Sequence, residues 1–182
     1  MIRWLLLASA LLVTFRAPAH AQDDASDLER RVKAAFLYKF AGYVDWPAGA
    51  FPTNDTPVTI GVLGDDALAG ELSALVEGRT SGGRPVAVVR LRAVDPVPDV
   101  RVLFVAHDEF DKLEGIALRA QGRPILIVAE HDDAIGHGAM INFILSGGRV
   151  RFEVDLGAVA QGNLALSSRM LAVAQHVLPE AR

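Results

Sequence analysis

Apolar residues recur at helical spacing near the start of the chain and predict one long helix. The residues that share this spacing are Leu28, Val32, Phe36, Phe40 and Tyr43. Steps of three and four positions mark one face of a helix, so these side chains are expected to fix the helix on a sheet. Ser26 followed by Glu29 fits a capping box, and Pro47 disfavours helical geometry at Trp46. The pattern predicts a largely buried helix over residues 26–46.

Short β-branched runs alternate with helical segments through the middle of the chain. The predicted strands cover residues 57–64, 84–91, 100–107 and 123–130, and the predicted helices cover residues 65–78 and 108–122. Alternation of strand and helix is typical of right-handed crossovers that build a parallel sheet. The middle of the chain therefore predicts a parallel sheet covered by helices.

The last part of the chain has a different pattern. Residues 140–155 read as two strands joined by Ser-Gly-Gly at 146–148, which is a hairpin signal. Apolar and charged residues alternate along 149–155, as in a half-exposed antiparallel strand. A final helix is predicted over residues 164–178, capped by Ser167. The complete pattern predicts an α/β fold: a three-layer single domain with a mixed, mainly parallel sheet and a C-terminal antiparallel hairpin.

The first residues have the layout of a secretory signal peptide. A basic residue at Arg3 precedes a short apolar run, and Ala19 and Ala21 occupy the small positions of a cleavage site. We predict a signal peptide over residues 1–21, cleavage after Ala21, and one domain over residues 22–182 in the periplasm. An uncleaved anchor is the alternative, but the apolar run is shorter than the roughly 20 residues that a membrane span needs. We expect no membrane insertion after cleavage.

Charge and cysteine content exclude several classes of function. The chain has a formal net charge of −4 and no basic run, so nucleic acid and anionic lipid are poor candidates for partners. It contains no cysteine, which excludes thiolate catalysis, disulfide exchange and cysteine metal sites.

The most enzyme-like stretch lies between the fourth strand and the hairpin. His131, Asp132, Asp133 and His137 could ligate a metal, but their spacing matches no standard zinc pattern. No serine lies in a G-x-S-x-G context. We interpret the stretch as a polar loop and predict no enzyme, no cofactor and no metal.

Both ends of the predicted mature chain resemble one protein family. The stretch "VKAAFLYKFAGYVDWP" at residues 32–47 resembles the opening helix of the YfiR family of periplasmic proteins. Residues 141–177 look like its closing segment, with an I-x-F strand, an R-F-E strand and an "L-x-x-S-S-x-x-L-x-x-A" motif. The strands between these ends fall in the expected order. Asp155 stands where the family pattern suggests Asn, which is a minor departure.

The resemblance implies a regulatory protein. YfiR-like proteins repress a membrane-bound diguanylate cyclase by binding its periplasmic sensor domain, which lowers cyclic di-GMP and restrains biofilm formation. The implied partners are that inner-membrane cyclase and, in many systems, an outer-membrane lipoprotein that sequesters the repressor; a homodimer is left open. Some members carry redox-linked disulfides, a route that the absence of cysteine excludes here.

Two groups of residues are candidates for binding the partner. Tyr38 lies off the apolar stripe of the first helix and Trp46 follows that helix, and aromatic residues with a polar tip suit a partly wet contact. Arg149, Arg151 and Glu153 form the charged face of the last hairpin strand. The alternatives are that the two aromatic residues anchor the core or a loop, and that the charges pair across strands and only keep an edge soluble.

Two other functions remain open from the residues alone. One is a small-molecule sensor with its ligand at the carboxyl ends of the parallel strands. The other is a hydrolase or metalloenzyme built on His131 and His137.

Overall fold

The computed structural model describes residues 20–180. The predicted signal peptide lies outside the described residues except for its last two, which belong to the first helix. A 3₁₀ helix, His107–Lys112, precedes the third α-helix. The helices α1 to α5 are His20–Tyr43, Asp66–Val76, Leu113–Ala120, Leu156–Gln161 and Ser168–Leu171.

Eight of the ten described strands form one sheet, in the order β10-β8-β7-β6-β5-β2-β4-β3. Neighbours are parallel except β3 with β4 and β7 with β8. β1 and β9 form a separate antiparallel pair. This confirms the predicted mixed, mainly parallel sheet and its hairpin. The strands β1 to β10 are Val44–Asp45, Val58–Leu63, Thr80–Ser81, Arg84–Leu91, Val102–Val105, Leu126–Ala129, Ile141–Ser146, Arg149–Asp155, Ala165–Leu166 and His176–Leu178.

The sheet separates two hydrophobic cores, which makes the domain three layers thick. On one face, α1 and α2 pack on side chains that include Phe104 and Phe152. On the other face, α3 packs through Leu113 and Ile116 on Ile127. β5 and β6 are buried along their whole length, as their continuous apolar sequence requires of strands covered on both sides. Each buried side chain of this size stabilises the fold by about 1.5–3 kcal/mol.

The ends of α1 differ from the prediction. The helix begins at His20, so Ser26 lies inside it and is not its N-cap. It ends at Tyr43 rather than at Trp46 because the next two residues pair with β9. The backbone N–H of Ser167 donates to the Tyr43 carbonyl at 2.9 Å, and this tertiary contact replaces the last predicted turn.

The apolar stripe of α1 is packed along only part of its length. Phe36 and Phe40 lie against Phe143 and Phe152 of the hairpin, with ring centroids 5.0–6.1 Å apart. Leu28, by contrast, is 62% exposed. The prediction that Leu28 fixes the helix on the sheet is wrong, because a groove separates this part of α1 from the end of the hairpin.

The single predicted helix over residues 164–178 is also wrong. The segment contains β9, the four-residue α5 and β10. Ser167 does cap α5, accepting from the N–H of Met170 at 3.4 Å. The chain then leaves the helix because Gln175 donates its N–H to the Phe152 carbonyl at 2.8 Å and β10 pairs with the second half of β8.

Candidate partner-binding surface

The β7–β8 hairpin places the predicted arginines. Gly147 and Gly148 have φ values of 58° and 70°, which a two-residue turn of type I′ requires. The turn pairs Ser146 with Arg149. Because strand side chains alternate, Val150 then lies on the α1 face and the arginine side chains lie on the opposite face.

Arg149 and Arg151 are exposed, and neither makes a hydrogen bond or ion pair with any described residue. Their guanidinium groups are therefore free to meet carboxylates of another molecule. The alternative was that these arginines pair across strands within the sheet. No such pair forms among the described residues.

Glu153 is in a different environment from the two arginines. It is half-buried, and its carboxylate accepts a hydrogen bond from Asn142 Nδ2 at 3.0 Å. His176 Nδ1 lies 3.8 Å from the same carboxylate. Asn142 is fully buried and also donates to the His131 carbonyl at 3.0 Å. Glu153 thus completes a buried polar network, which gives it a role in the fold.

Tyr38 reaches the opposite end of the sheet. Its hydroxyl donates to the Thr80 carbonyl at 2.9 Å, and the Arg79 guanidinium carbon lies 5.8 Å from its ring centroid. The side chain is half-buried and packs against the α1-side core. Tyr38 therefore ties α1 to β3.

Trp46 packs in the loop after β1. Its indole N–H donates to the Ala41 carbonyl at 3.4 Å, and its ring meets Phe51 edge-on at 6.1 Å. The side chain is half-buried, so it anchors the loop and leaves part of its surface accessible.

The structure does not bring the five predicted residues together. β3, which Tyr38 contacts, is at one end of the strand order, and β8, which carries Arg149, Arg151 and Glu153, is next to the other end. The candidate surface is therefore two separate regions. Sequence spacing could not show this, because the sheet order depends on long-range pairing.

The histidine loop is held by local contacts. His131 stacks on Phe110 with ring centroids 3.7 Å apart, and its Nδ1 accepts from the Asp133 N–H at 3.1 Å. His137 Nδ1 lies 2.7 Å from the Asp133 carbonyl oxygen. Within residues 20–180, no group of three or more His, Cys, Asp or Glu side chains is placed to hold a metal.

A pocket of about 400 Å³ lies at the carboxyl ends of β5, β6 and β7. Lys33 lies in it, paired with Glu29 at 2.6 Å and with Glu130. Burial alone would lower the pKa of Lys33, but the hydrogen bonds and charges of Glu130 and Glu29 outweigh it and raise the pKa above its ordinary value. The four-residue spacing of Glu29 and Lys33 predicts their ion pair from the sequence. The pair with Glu130 cannot be predicted in this way, because Glu130 is distant in sequence.

Glu109 packs closely against the end of β2, beside the usual ligand crevice of such a sheet. The strand order reverses at β2 and β5, where open α/β sheets bind ligands. A Cβ added at Gly64 there would lie 2.5 Å from the Cγ of Glu109. The Lys33 pocket lies one strand further along the same edge of the sheet.

Comparison with known protein families identifies the family of the chain. The model of the YfiR/HmsC-like family matches residues 30–175. The chain belongs to the YfiR/HmsC-like family. The matched span includes all five predicted partner-binding residues, and the suspected YfiR resemblance is confirmed. No curated protein shows significant similarity to the chain.

Membership in the YfiR/HmsC-like family supports a regulator of diguanylate cyclase signalling in the periplasm rather than a catalyst. None of the helices within residues 20–180 is long and apolar enough to cross a membrane.

Proposed function

We propose that this YfiR/HmsC-like protein binds the periplasmic sensor domain of an inner-membrane diguanylate cyclase and represses the enzyme. We propose further that repression lowers cyclic di-GMP and restrains biofilm formation. An outer-membrane lipoprotein that sequesters the repressor is also part of the proposal. The observation that carries it is the family match over residues 30–175. Arg149 and Arg151 support it as well, because they have no partner among residues 20–180 and offer charge for a protein partner.

The chemistry of the surface suits repression by binding. Arg149 and Arg151 project from a hydrogen-bonded strand, so little backbone freedom is lost on association. An arginine pairs with a carboxylate through two parallel hydrogen bonds, which fixes orientation as well as charge. A repressor shifts the cyclase only as far as it prefers the inactive conformation of the sensor domain.

Export is part of the proposal because the sensor domain faces the periplasm. Cleavage after Ala21 should give a periplasmic protein whose intact mass corresponds to a chain that starts at Gln22. A periplasmic chain that retains Met1 and sediments with membranes would contradict this.

The test of repression compares an exported and a non-exported form. In a deletion strain, cyclic di-GMP should rise, and the full-length chain should restore it to the original level. The same chain without residues 1–21 should accumulate in the cytoplasm and restore nothing. Equal cyclic di-GMP in the parental strain, the deletion strain and the two complemented strains would refute the proposed function.

A second candidate function is a small-molecule sensor, favoured by the pocket around Lys33. Native mass spectrometry of protein purified from the periplasm should then show a bound ligand. Ile144 lines the pocket, so Ile144→Trp should fill it and remove the ligand. Identical ligand-free spectra for both proteins would count against the sensor.

A further inference from the structure

We propose that the open half of β8 binds an extended segment of the partner, with apolar residues facing α1 and acidic residues facing the arginines. Only the identity of the partner rests on the proposed function. The site itself is argued from the backbone edge, the groove beside it and the charges on its other face.

Within residues 20–180, no strand pairs with the first half of β8 on the side away from β7. β10 pairs only with residues 153–155 of β8, and Gln175 takes the Phe152 carbonyl. In an antiparallel pair closed by a two-residue turn, alternate residues point their backbone groups at the neighbouring strand. The backbone N–H and C=O groups of Arg149 and Arg151 therefore bond to β7. The backbone N–H and C=O groups of Val150 point away from β7. An added strand could pair with these groups.

An apolar groove of about 380 Å³ lies beside this open edge. Leu28, Val32 and Phe36 line it from α1, and Leu145 and Val150 line it from the hairpin; the rest of its lining is Glu29, Gly148, Arg149 and Arg151. Leu28 and Leu145 are 62% and 64% exposed, so the groove is not filled by the described chain. Side chains alternate along a strand. A segment paired with β8 would therefore place every second side chain in the groove.

The remaining side chains of that segment would meet the other face of β8. Arg149 and Arg151 lie on that face without partners among residues 20–180. Directly opposed residues of unlike charge stabilise a strand pair. The segment that fits is thus apolar at one set of alternate positions and Asp or Glu at the other set.

A second copy of this chain is a poorer occupant of the same edge. Pairing two β8 edges about a two-fold axis would bring the Arg149 and Arg151 side chains of both copies onto one face. Like charges opposite each other destabilise a strand pair. Charge therefore favours an acidic partner over self-association here.

The probe is an eight-residue peptide of alternating Val and Glu, blocked at both ends and labelled for fluorescence anisotropy with the mature protein. We expect saturable binding, and no binding of the matching Val–Lys peptide. Equal binding of both peptides, or of neither, would overturn the inference. Self-association that competes with the peptide and is lost in the Arg149→Glu/Arg151→Glu double variant would also overturn it, in favour of a second copy.

Backbone methylation of the peptide tests the mode of binding. In an added strand, the N–H groups of only one alternate set point at β8. Methylating the nitrogens of either the Val set or the Glu set should therefore abolish binding, while methylating the other set leaves it. Loss with both sets, or with neither, would contradict strand addition.

Protein variants locate the site. Arg149→Glu/Arg151→Glu should weaken binding by at least about tenfold, and Leu28→Glu should also weaken it. Arg90 and Arg92 have the same spacing and are exposed at the other end of the sheet, so Arg90→Glu/Arg92→Glu is the matched control and should change affinity less than about twofold. Equal losses in the two double variants would place the peptide elsewhere.

The result is separable from the proposed function. A protein that represses the cyclase but does not bind the peptide would overturn only the strand site. A protein that binds the peptide but leaves cyclic di-GMP unchanged would keep the site and refute repression.

Discussion

The two ends of the large sheet use arginine in opposite ways. At the β3–β4 end, Arg84 donates to the carbonyls of Thr53, Asn54 and Thr56 at 2.6–3.3 Å and lies 4.2 Å from the ring centroid of Phe51. At the β8 end, the arginines have no partner among the described residues. The arginine at the β3–β4 end is bound to a loop of the same chain, whereas the side chains of the two arginines on β8 are available to another molecule.

The difference shows that an arginine on an outer strand does not by itself mark an interface. The Arg84 guanidinium is engaged by three carbonyls of residues 53–56. Arg151 is exposed beside a groove and a backbone edge that no strand of residues 20–180 covers. The neighbours of each arginine, which come from distant parts of the chain, decide its role.

The largest expected effect lies in the core between the two ends. Phe40→Ala should lower the free energy of unfolding by about 3–5 kcal/mol, because Phe40 is 1% exposed and packs on Phe143 and Phe152. Chemical denaturation measures the loss. Leu28→Ala on the same helix is the control and should cost below about 1 kcal/mol. Equal losses would mean that α1 is packed along its whole length.

Removing the Lys33 charge should have the next largest effect. Lys33 and Glu130 side chains are 15% and 17% exposed, so Lys33→Met leaves a mostly buried carboxylate without its partner. We expect a loss of about 1–3 kcal/mol at neutral pH. A variant as stable as the wild type would show that the ion pair contributes nothing.

The same pair predicts a pH dependence. The pKa of Lys33 is raised in the folded protein above its ordinary value of 10.5. Its stabilisation is therefore fully present below pH 10.5 and is lost as the pH rises through the folded-state pKa. Unfolding measured from neutral to strongly alkaline pH should show this loss in the wild type and not in Lys33→Met.

Truncating one arginine at each end of the sheet tests the comparison directly. Arg84→Ala should lower stability by about 1–2 kcal/mol, because three carbonyl oxygens lose a donor. Arg151→Ala should change stability by less than about 0.5 kcal/mol. Thermal and chemical unfolding measure both. Similar losses at the two ends would remove the distinction between them.

Tyr38→Phe should produce a smaller loss, about 0.5–1.5 kcal/mol, because one hydrogen bond to Thr80 is removed. Since the hydroxyl is engaged within the fold, we expect cyclic di-GMP repression to persist. Loss of repression by a stable Tyr38→Phe protein would make this region part of the partner surface.

Arg151→Glu should have the smallest effect on stability and the largest effect on repression of the cyclase. Arg151→Glu should change stability by no more than about 0.5 kcal/mol, because the side chain is exposed and pairs with none of the described residues. If Arg151 binds the partner, cyclic di-GMP should rise while the folded variant accumulates in the periplasm. Arg92→Glu, an equal charge change at an exposed site, should leave repression intact. Unchanged cyclic di-GMP in Arg151→Glu would remove this residue from the interface.

Local patterns were enough to predict most of the fold. Strands β2, β4, β5 and β6 and helices α2 and α3 follow from apolar runs, caps and glycines that lie next to one another in the chain. The β7–β8 hairpin follows from two glycines that adopt positive φ. α4 was not predicted; Asp155 begins it by accepting the Ala158 N–H at 3.1 Å. The family resemblance of the two ends was also legible from the residues alone.

Only the tertiary structure decided what surrounds the candidate residues. Residues 176–178 form a strand instead of a helix because β8 offers unpaired backbone groups beside them. Glu153 is drawn into the network of Asn142, and Tyr38 is held by β3. In each case the deciding partner is far away in sequence, and its hydrogen bonds outweigh the weak local preference of the segment itself.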